Sequence, residues 1–144
     1  MKNTILLLFT LIVSCATVPN KNVPQEFPHQ ELIKGSNGGY YSPKNMIIRN
    51  HSDLKIIYTQ INKIRKPGFP IPEIDFEKEI VIALFLGQRS SGGYTISISK
   101  IVETKDEIQV YTQNTEPDGP ATTVMTQPFY FCKIPATEKT IVFK

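Results

Sequence analysis

The chain of 144 residues is long enough for one domain with its own hydrophobic core and short for two. Its 40% hydrophobic and 20% charged residues give an ordinary globular composition, and 11 prolines with 8 glycines indicate many turns and few long helices. The net charge of +3 comes from Lys and Arg residues scattered among acids, so the sequence offers no basic stripe for nucleic acid.

The first 14 residues have the pattern of an export signal. Lys2 precedes an apolar stretch over residues 5–13, which is followed by a small residue, Ser14, and by Cys15. The apolar stretch is too short to cross the ~30 Å hydrocarbon core of a bilayer, because a helix needs about 20 residues for that. We therefore predict a cleaved signal over residues 1–14 in preference to a permanent transmembrane helix.

The tetrapeptide Ile12-Val13-Ser14-Cys15 resembles the lipobox of bacterial lipoproteins. In that motif the cysteine receives a diacylglyceryl group and becomes the mature N-terminus, so the resemblance implies lipidation at Cys15 and a domain held at a bacterial membrane, facing the periplasm or the exterior. Residues 15–30 are polar and contain three prolines, which predicts a flexible tether before a domain over residues 31–144. The alternative is an ordinary cleaved signal with an incidental cysteine.

Cys132 is the one other cysteine of the chain. If Cys15 is acylated, Cys132 has no intrachain partner, and the domain must be held by its core instead of by disulfides. Cys132 alternates with Tyr130 and Ile134 along a strand, which places the thiol in the core as a small apolar group.

One helix is predicted, over residues 52–66. Ser52 is suited to cap its N-terminus, Asp53 suits the positive end of the helix dipole, and Pro67 follows its end. Apolar residues recur at helical spacing between these points. They are Leu54, Ile57, Tyr58 and Ile61.

At least five strands are predicted around this helix. Residues 79–86 include seven successive apolar residues, which indicates a strand buried on both faces at the centre of a sheet. Residues 44–49, 129–134 and 140–143 are further strands, and residues 94–99 and 108–111 alternate between apolar and polar residues. Ile98 and Ile101 are an odd step apart, so a bulge is expected near Lys100. The predicted fold is mostly β: an antiparallel sandwich or twisted sheet with one covering helix.

Five motifs stand out between residues 74 and 135. They are Ile74-Asp75-Phe76, Gly87-Gln88-Arg89-Ser90-Ser91-Gly92-Gly93-Tyr94, Pro117-Asp118-Gly119-Pro120, Thr126-Gln127-Pro128-Phe129-Tyr130 and Lys133-Ile134-Pro135. Together these motifs resemble the PrcB C-terminal domain family. The resemblance implies an extracytoplasmic lipoprotein without catalysis, and the founding member of the family associates with a surface protease complex and stabilises it.

Two segments form the candidate binding surface. In the first, two glycines after two hydroxyls free the backbone for positive φ, and the second combines a proline with two aromatic rings that can anchor a protein partner. Structural turns and core packing would give the same patterns, and residues 36–40 resemble the first segment over a stretch too short to be a repeat. The candidate residues are Ser90, Ser91, Gly92, Gly93, Tyr94, Pro128, Phe129 and Tyr130.

No catalytic or metal-binding pattern is present in the sequence. The chain lacks a Gly-x-Ser-x-Gly motif, and its two histidines, His29 and His51, lie in the tether and just before the helix. Acids alternate over residues 75–79 without a histidine among them, and Glu116 with Asp118 forms a polar turn. We therefore expect no catalytic residues, no metal and no cofactor.

The sequence leaves three classes of function, which we rank by how well its patterns support them. A tethered protein-binding or assembly module, with a surface protease complex as the candidate partner, comes first. A loop-based peptidase inhibitor comes second, because the glycine-rich and Pro-aromatic loops faintly resemble those of chagasin-like inhibitors. An enzyme comes last, since it would need a small-molecule site that the sequence does not reveal.

Overall fold

The computed structural model describes residues 24–144, so the predicted signal peptide, Cys15 and the tether up to residue 23 lie outside the described part. Eight strands form two four-stranded sheets with the order β1-β5-β6-β8 (the β5 sheet) and β2-β7-β4-β3 (the β4 sheet). The elements are β1 (Gln25–Glu26), β2 (Gln30–Gly35), β3 (Lys44–Ile48), α1 (His51–Ile61), β4 (Glu79–Phe85), β5 (Thr95–Glu103), β6 (Glu107–Thr115), β7 (Phe129–Pro135) and β8 (Thr140–Phe143).

The β4 sheet is the middle layer of the molecule. Side chains of β4 point alternately to its two faces, so Ile82 lies in the core between the two sheets and Val81 lies in the core under α1. The neighbouring strand β7 is divided in the same way, with Cys132 on the sandwich side and Phe131 on the helix side. The prediction of a central strand buried on both faces is confirmed, and so is the mostly β sandwich with one helix.

The β5 sheet supplies the other half of the sandwich core. Ile98 and Ile101 both face inward, and the β5–β6 register shifts between Ile98 and Lys100, which confirms the bulge inferred from their odd spacing. The polar residues that alternate with them are left on the outer face, so this sheet is solvated on one side as the period-two pattern predicts.

The helix α1 packs on the outer face of the β4 sheet, with Tyr58 edge-on to Phe131 at 5.8 Å between ring centroids. Its predicted ends were wrong. Asn50, not Ser52, is the N-cap: its side-chain oxygen accepts the Asp53 N–H at 2.9 Å.

The helix also ends at Ile61, five residues before its predicted end. The side chain of Asn62 forms two hydrogen bonds with the backbone of Phe69, at 2.7 and 2.9 Å, and these hold the turn that comes after the helix. Pairing with residue 69 thus stops the helix earlier than Pro67 would.

Strand β1 belongs to the domain although it lies in the predicted tether. Gln25 pairs with Glu103, the Phe27 N–H donates to the Ile101 carbonyl at 2.8 Å, and the Phe27 side chain packs against the sandwich core. The described domain therefore includes residues from Gln25 onward, six residues before the predicted boundary at residue 31.

The two ends of the sandwich contain different parts of the chain. The loops over residues 36–43, 87–94 and 116–128 connect the strands at one end, which we call the loop end. Residue 25, where the described chain enters the fold, lies at the opposite end beside the β5–β6 turn, which we call the β1 end. Strands β6 and β8 both start at the β1 end, which is why they pair in parallel. Within residues 24–144, no helix has the length and apolar character needed to span a bilayer.

The corrected cap gives a direct test. We expect Asn50→Ala to lower the free energy of unfolding by about 1 kcal/mol, because the Asp53 N–H loses its acceptor. Ser52→Ala is the matched control and should change it by less than about 0.5 kcal/mol. Urea unfolding of the two variants measures this difference, and a larger loss for Ser52→Ala would restore the cap first predicted.

Candidate functional site

The loop end is a set of three loops joined by backbone hydrogen bonds. The Gly38 N–H donates to the Gln127 carbonyl and the Gln127 N–H donates to the Ser36 carbonyl, both at 2.7 Å. Arg89 and Thr126 exchange a second pair of bonds, at 2.8 and 3.0 Å. Residues 126 and 127 therefore connect the other two loops to each other.

Side-chain hydrogen bonds to the loop backbone add to the bonds between the three loops. The Gln127 side-chain oxygen accepts the Gly39 N–H at 3.0 Å, and Gln60 of α1 donates to the Gly39 carbonyl at 2.8 Å. The Thr126 hydroxyl, which is buried, donates to the Ser91 carbonyl at 2.7 Å. Both sides of the loop end are thereby fixed to the fold, which favours a rigid surface over an adaptable one.

The first candidate segment, from Ser90 to Tyr94, is largely structural in its backbone. The Gly92 N–H donates to the Thr122 carbonyl at 3.0 Å, so this amide is used inside the protein. Gly93 has a φ of +88°, the left-handed conformation that glycine permits, and the Arg89 guanidinium lies 5.8 Å from the centre of the Tyr94 ring. This geometry fits the turn interpretation, and whether the segment also binds a partner stays a prediction.

The two similar glycine-rich segments lie close together in space. Ser36 from the first, and Gly93 with Tyr94 from the second, line one cleft of about 320 Å³ between the two sheets. Phe129, the first residue of β7, is also among its lining residues. No local pattern in the sequence predicts this proximity, because it depends on how the two sheets are stacked.

The second candidate segment, Pro128 with Phe129 and Tyr130, is buried. Phe129 is 1% exposed in the helix-side core, where its ring centre lies 5.2 Å from that of Phe131 with the rings tilted by 55°, while Tyr130 is 4% exposed in the sandwich core. These rings therefore pack in the core, as the alternative interpretation of the segment expected. They support the loop end from inside and are not exposed to a partner.

The exposed apolar residues at this end are different ones, and the sequence did not single them out. Tyr41, Ile64 and Met125 are 76%, 77% and 62% exposed and line a second cleft, on the helix side of the loop end. A usable signal existed for Met125, which stands with Val124 in an otherwise polar loop where no strand or helix period requires apolar residues.

The groups considered for chemistry have structural roles. Cys132 is fully buried, which confirms its predicted place in the core, and this burial raises the pKa of the thiol to about 12 and leaves it a poor nucleophile. His51 starts α1 at the β1 end and packs edge-on against Phe76 at 4.8 Å. A hydrogen bond from Lys78 lowers the pKa of Asp75, and Glu79 pairs with Lys133 at 2.8 Å. Across residues 24–144, no cluster of three or more His, Cys, Asp or Glu side chains could hold a metal ion.

Comparison with known protein families bears on the segment that builds this end. Residues 80–135 match the family described as PrcB C-terminal. The resemblance seen in the sequence is thereby confirmed for less than half of the chain, from β4 through β5 and β6 to the end of β7. No curated protein and no solved structure matches the chain.

The segment over residues 80–135 contains two glycines that test the loop geometry. A Cβ at Gly93 would lie 2.7 Å from the Pro117 Cβ, whereas a Cβ at Gly119, where φ is +100°, meets nothing within 4 Å. Both alanine variants incur the strain of a positive φ, about 1–2 kcal/mol. Gly93→Ala should lose about 1–3 kcal/mol more, because the methyl group overlaps Pro117. Equal losses in urea unfolding would show that Gly93 and Pro117 are not in contact in solution.

One buried thiol and two buried phenols, which lose a proton at high pH, predict that alkali destabilises the domain. Burial raises the pKa of Cys132 from 9.0, and the pKa values of Tyr58 and Tyr130 from 10.0, each to about 12. Above pH 9 the unfolded chain therefore loses protons that the folded protein retains, so the free energy of unfolding falls as pH rises from 9 toward 12.

We expect the urea midpoint to fall from pH 9, where the thiol contributes, and to fall more steeply above pH 10, where the two phenols also contribute. Each group lowers the free energy of unfolding by up to about 1.4 kcal/mol per pH unit. Cys132→Ala removes one of the groups and should reduce the slope. A midpoint that stays constant above pH 9 would contradict the burial of these side chains.

Proposed function

We propose that this protein is a lipid-anchored binding module of the bacterial cell envelope that joins a protease complex through its loop end and carries out no catalysis itself. The observation that carries the proposal is the PrcB C-terminal match, because the matched segment supplies the middle strands and two of the three loops of that end. The rigid attachment of these loops to one another suits a preformed contact surface.

The anchor in this proposal is the acylated Cys15, as the lipobox-like tetrapeptide implies. About ten residues then separate the lipid from β1, and fully extended they would reach roughly 35 Å. A short tether of this kind would hold the domain near the membrane with its β1 end inward and its loop end outward.

The proposed lack of catalysis rests on what the reactive side chains do. Cys132 is buried with a raised pKa, and the Thr126 hydroxyl is committed to a backbone carbonyl in the loop cluster. These are structural uses of groups that an acyl-transfer enzyme would need free.

A loop-based peptidase inhibitor is the second candidate. It is favoured by the placement of three loops side by side at one end of a sandwich, where they could enter a protease cleft together. Titration against a panel of cysteine peptidases and metallopeptidases separates the two proposals, because an assembly module leaves peptide hydrolysis by these enzymes unchanged.

The anchor is tested by Cys15→Ser. We expect the wild-type protein in the membrane fraction with a diacylglyceryl mass at its N-terminus, and the variant released from that fraction without the added mass. Cys132→Ala is the control and should stay membrane-bound. A wild-type protein found soluble with its leader intact would contradict the proposal.

The partner is tested separately by crosslinking in intact cells followed by isolation from the native envelope. The proposal expects one or more components of a protease complex to be recovered with the anchored protein. Recovery of no protein partner would overturn it.

A further inference from the structure

We propose that the cleft between Tyr41, Ile64 and Met125 is the surface that receives the partner, and that the partner inserts an apolar side chain flanked by carboxylates. This inference rests on the proposed binding function and adds to it the contact surface and the chemistry of the contact. The cleft, which we call the Tyr41 cleft, has a volume of about 340 Å³. It is lined by Asn37, Gly39, Tyr41, Gln60, Lys63, Ile64, Met125 and Gln127.

Exposed apolar side chains are concentrated at this cleft. Seven large apolar residues of the described chain are more than a third exposed, and three of the four most exposed line the cleft: Tyr41, Ile64 and Met125. Single exposed apolar residues such as Ile47 and Ile71 are ordinary on a protein surface. Three exposed apolar residues from separate segments around one depression are not ordinary, because leaving them together in water does not stabilise a monomer.

The floor of the cleft is built in advance of any ligand. Gln60 and Gln127 hold Gly39 from two sides through their hydrogen bonds, and a Cβ at Gly39 would lie 2.5 Å from the Gln60 side-chain nitrogen. Gly39 also has a φ of +78°, which a side chain would strain. A glycine fixed in this way keeps the depression open, so a partner would spend little free energy on ordering it.

The lining of the cleft carries one charge, and it is positive. Lys63 is the one charged residue among the eight that line the cleft, and within residues 24–144 no carboxylate lies in ion-pair distance of its ammonium group. Carboxylates on a partner would be attracted to this rim, which raises the association rate and selects against basic partners.

The position of the cleft favours a protein over a membrane. An anionic bilayer would also attract Lys63 and the exposed apolar side chains. The described chain, however, enters the fold at the β1 end, whereas the cleft lies at the loop end, where Gln60 in the last turn of α1 meets Gly39. A lipid at Cys15 would therefore draw the opposite end of the domain to the membrane. A concave site with polar groups on its floor also suits a side chain better than a flat lipid surface.

The first step of the test is to identify what contacts the cleft. A photoreactive amino acid replaces Ile64 in the full-length, anchored protein, and the same substitution at Ile71, 47% exposed near the β1 end, is the control. We expect position 64 to crosslink to a distinct protein and position 71 to give no such product. Crosslinks to lipid, to a second copy of this chain, or to the same products at both positions would overturn the proposal.

The second step measures binding of the purified crosslinked protein to variants of the cleft. Ile64→Ser and Lys63→Glu should each weaken binding about tenfold, and added salt should weaken binding of the wild type but have less effect on Lys63→Glu. Ile71→Ser and Lys105→Glu, both at the β1 end, are the matched controls and should change the Kd less than about twofold. All four residues lie at the surface, so thermal melts should confirm that the variants fold.

The outcomes separate this inference from the function on which it rests. A partner that binds the anchored protein but is unaffected by Ile64→Ser and Lys63→Glu leaves the binding function standing and disproves the Tyr41 cleft. A contact peptide on the partner that lacks Asp and Glu disproves the proposed chemistry. Absence of any protein partner removes both.

Discussion

The pairing of β4 with β7 in the middle layer is the interaction on which the rest of the structure depends. These two strands bury side chains on both faces, so a single ladder of backbone hydrogen bonds supports the sandwich core on one side and the α1 core on the other. Apolar burial contributes about 25 cal/mol per Å², and a strand covered on both sides gains it twice along the same length of chain. Cys132, the cysteine within the described residues, forms no disulfide. Burial on both faces of this middle layer explains how the domain is held together without one.

The loop end derives its order from the same strands. Where β4 and β7 meet this end, the Leu86 N–H donates to the Pro128 carbonyl at 2.9 Å, which brings the loop after β4 next to the loop before β7. Gly87 then turns the chain with a φ of +79° and passes so close to Pro43 that a Cβ would lie 2.8 Å from the Pro43 nitrogen. The proposed contact surface is thus a continuation of the middle layer, and partner binding would require no folding of the loops.

Much of the fold can be predicted from local sequence patterns. The apolar run in β4, the odd step between Ile98 and Ile101, and the alternation around Cys132 each depend on one strand and its immediate neighbours, and each predicted the observed placement. The helix ends could not be predicted in this way, because Asn50 and Ser52 are both competent caps and only the path of the chain out of β3 selects between them. The helix C-terminus depends on Asn62 reaching Phe69, which is a contact that periodicity does not encode.

The candidate site was predicted only in part, for a related reason. The glycine-rich segments were identified as turns from composition, but the meeting of Gly39 with Gln127 joins residues 88 positions apart. Aromatic residues after a proline look alike whether they face a core or a partner, and burial decided the matter for Phe129 and Tyr130. The exposed Ile64 lay inside the predicted helix, so its position on the surface emerged only once the helix was seen to end at Ile61.

Hydrogen exchange of the native protein, followed amide by amide, tests the central role of the β4–β7 pair most directly. We expect amides of these two strands to exchange only through global unfolding and to be the slowest in residues 24–144, while β1 and β8 at the sheet edges exchange earlier. If β4 exchanged as fast as the edge strands, the middle layer would not be what holds the domain and its loop end together.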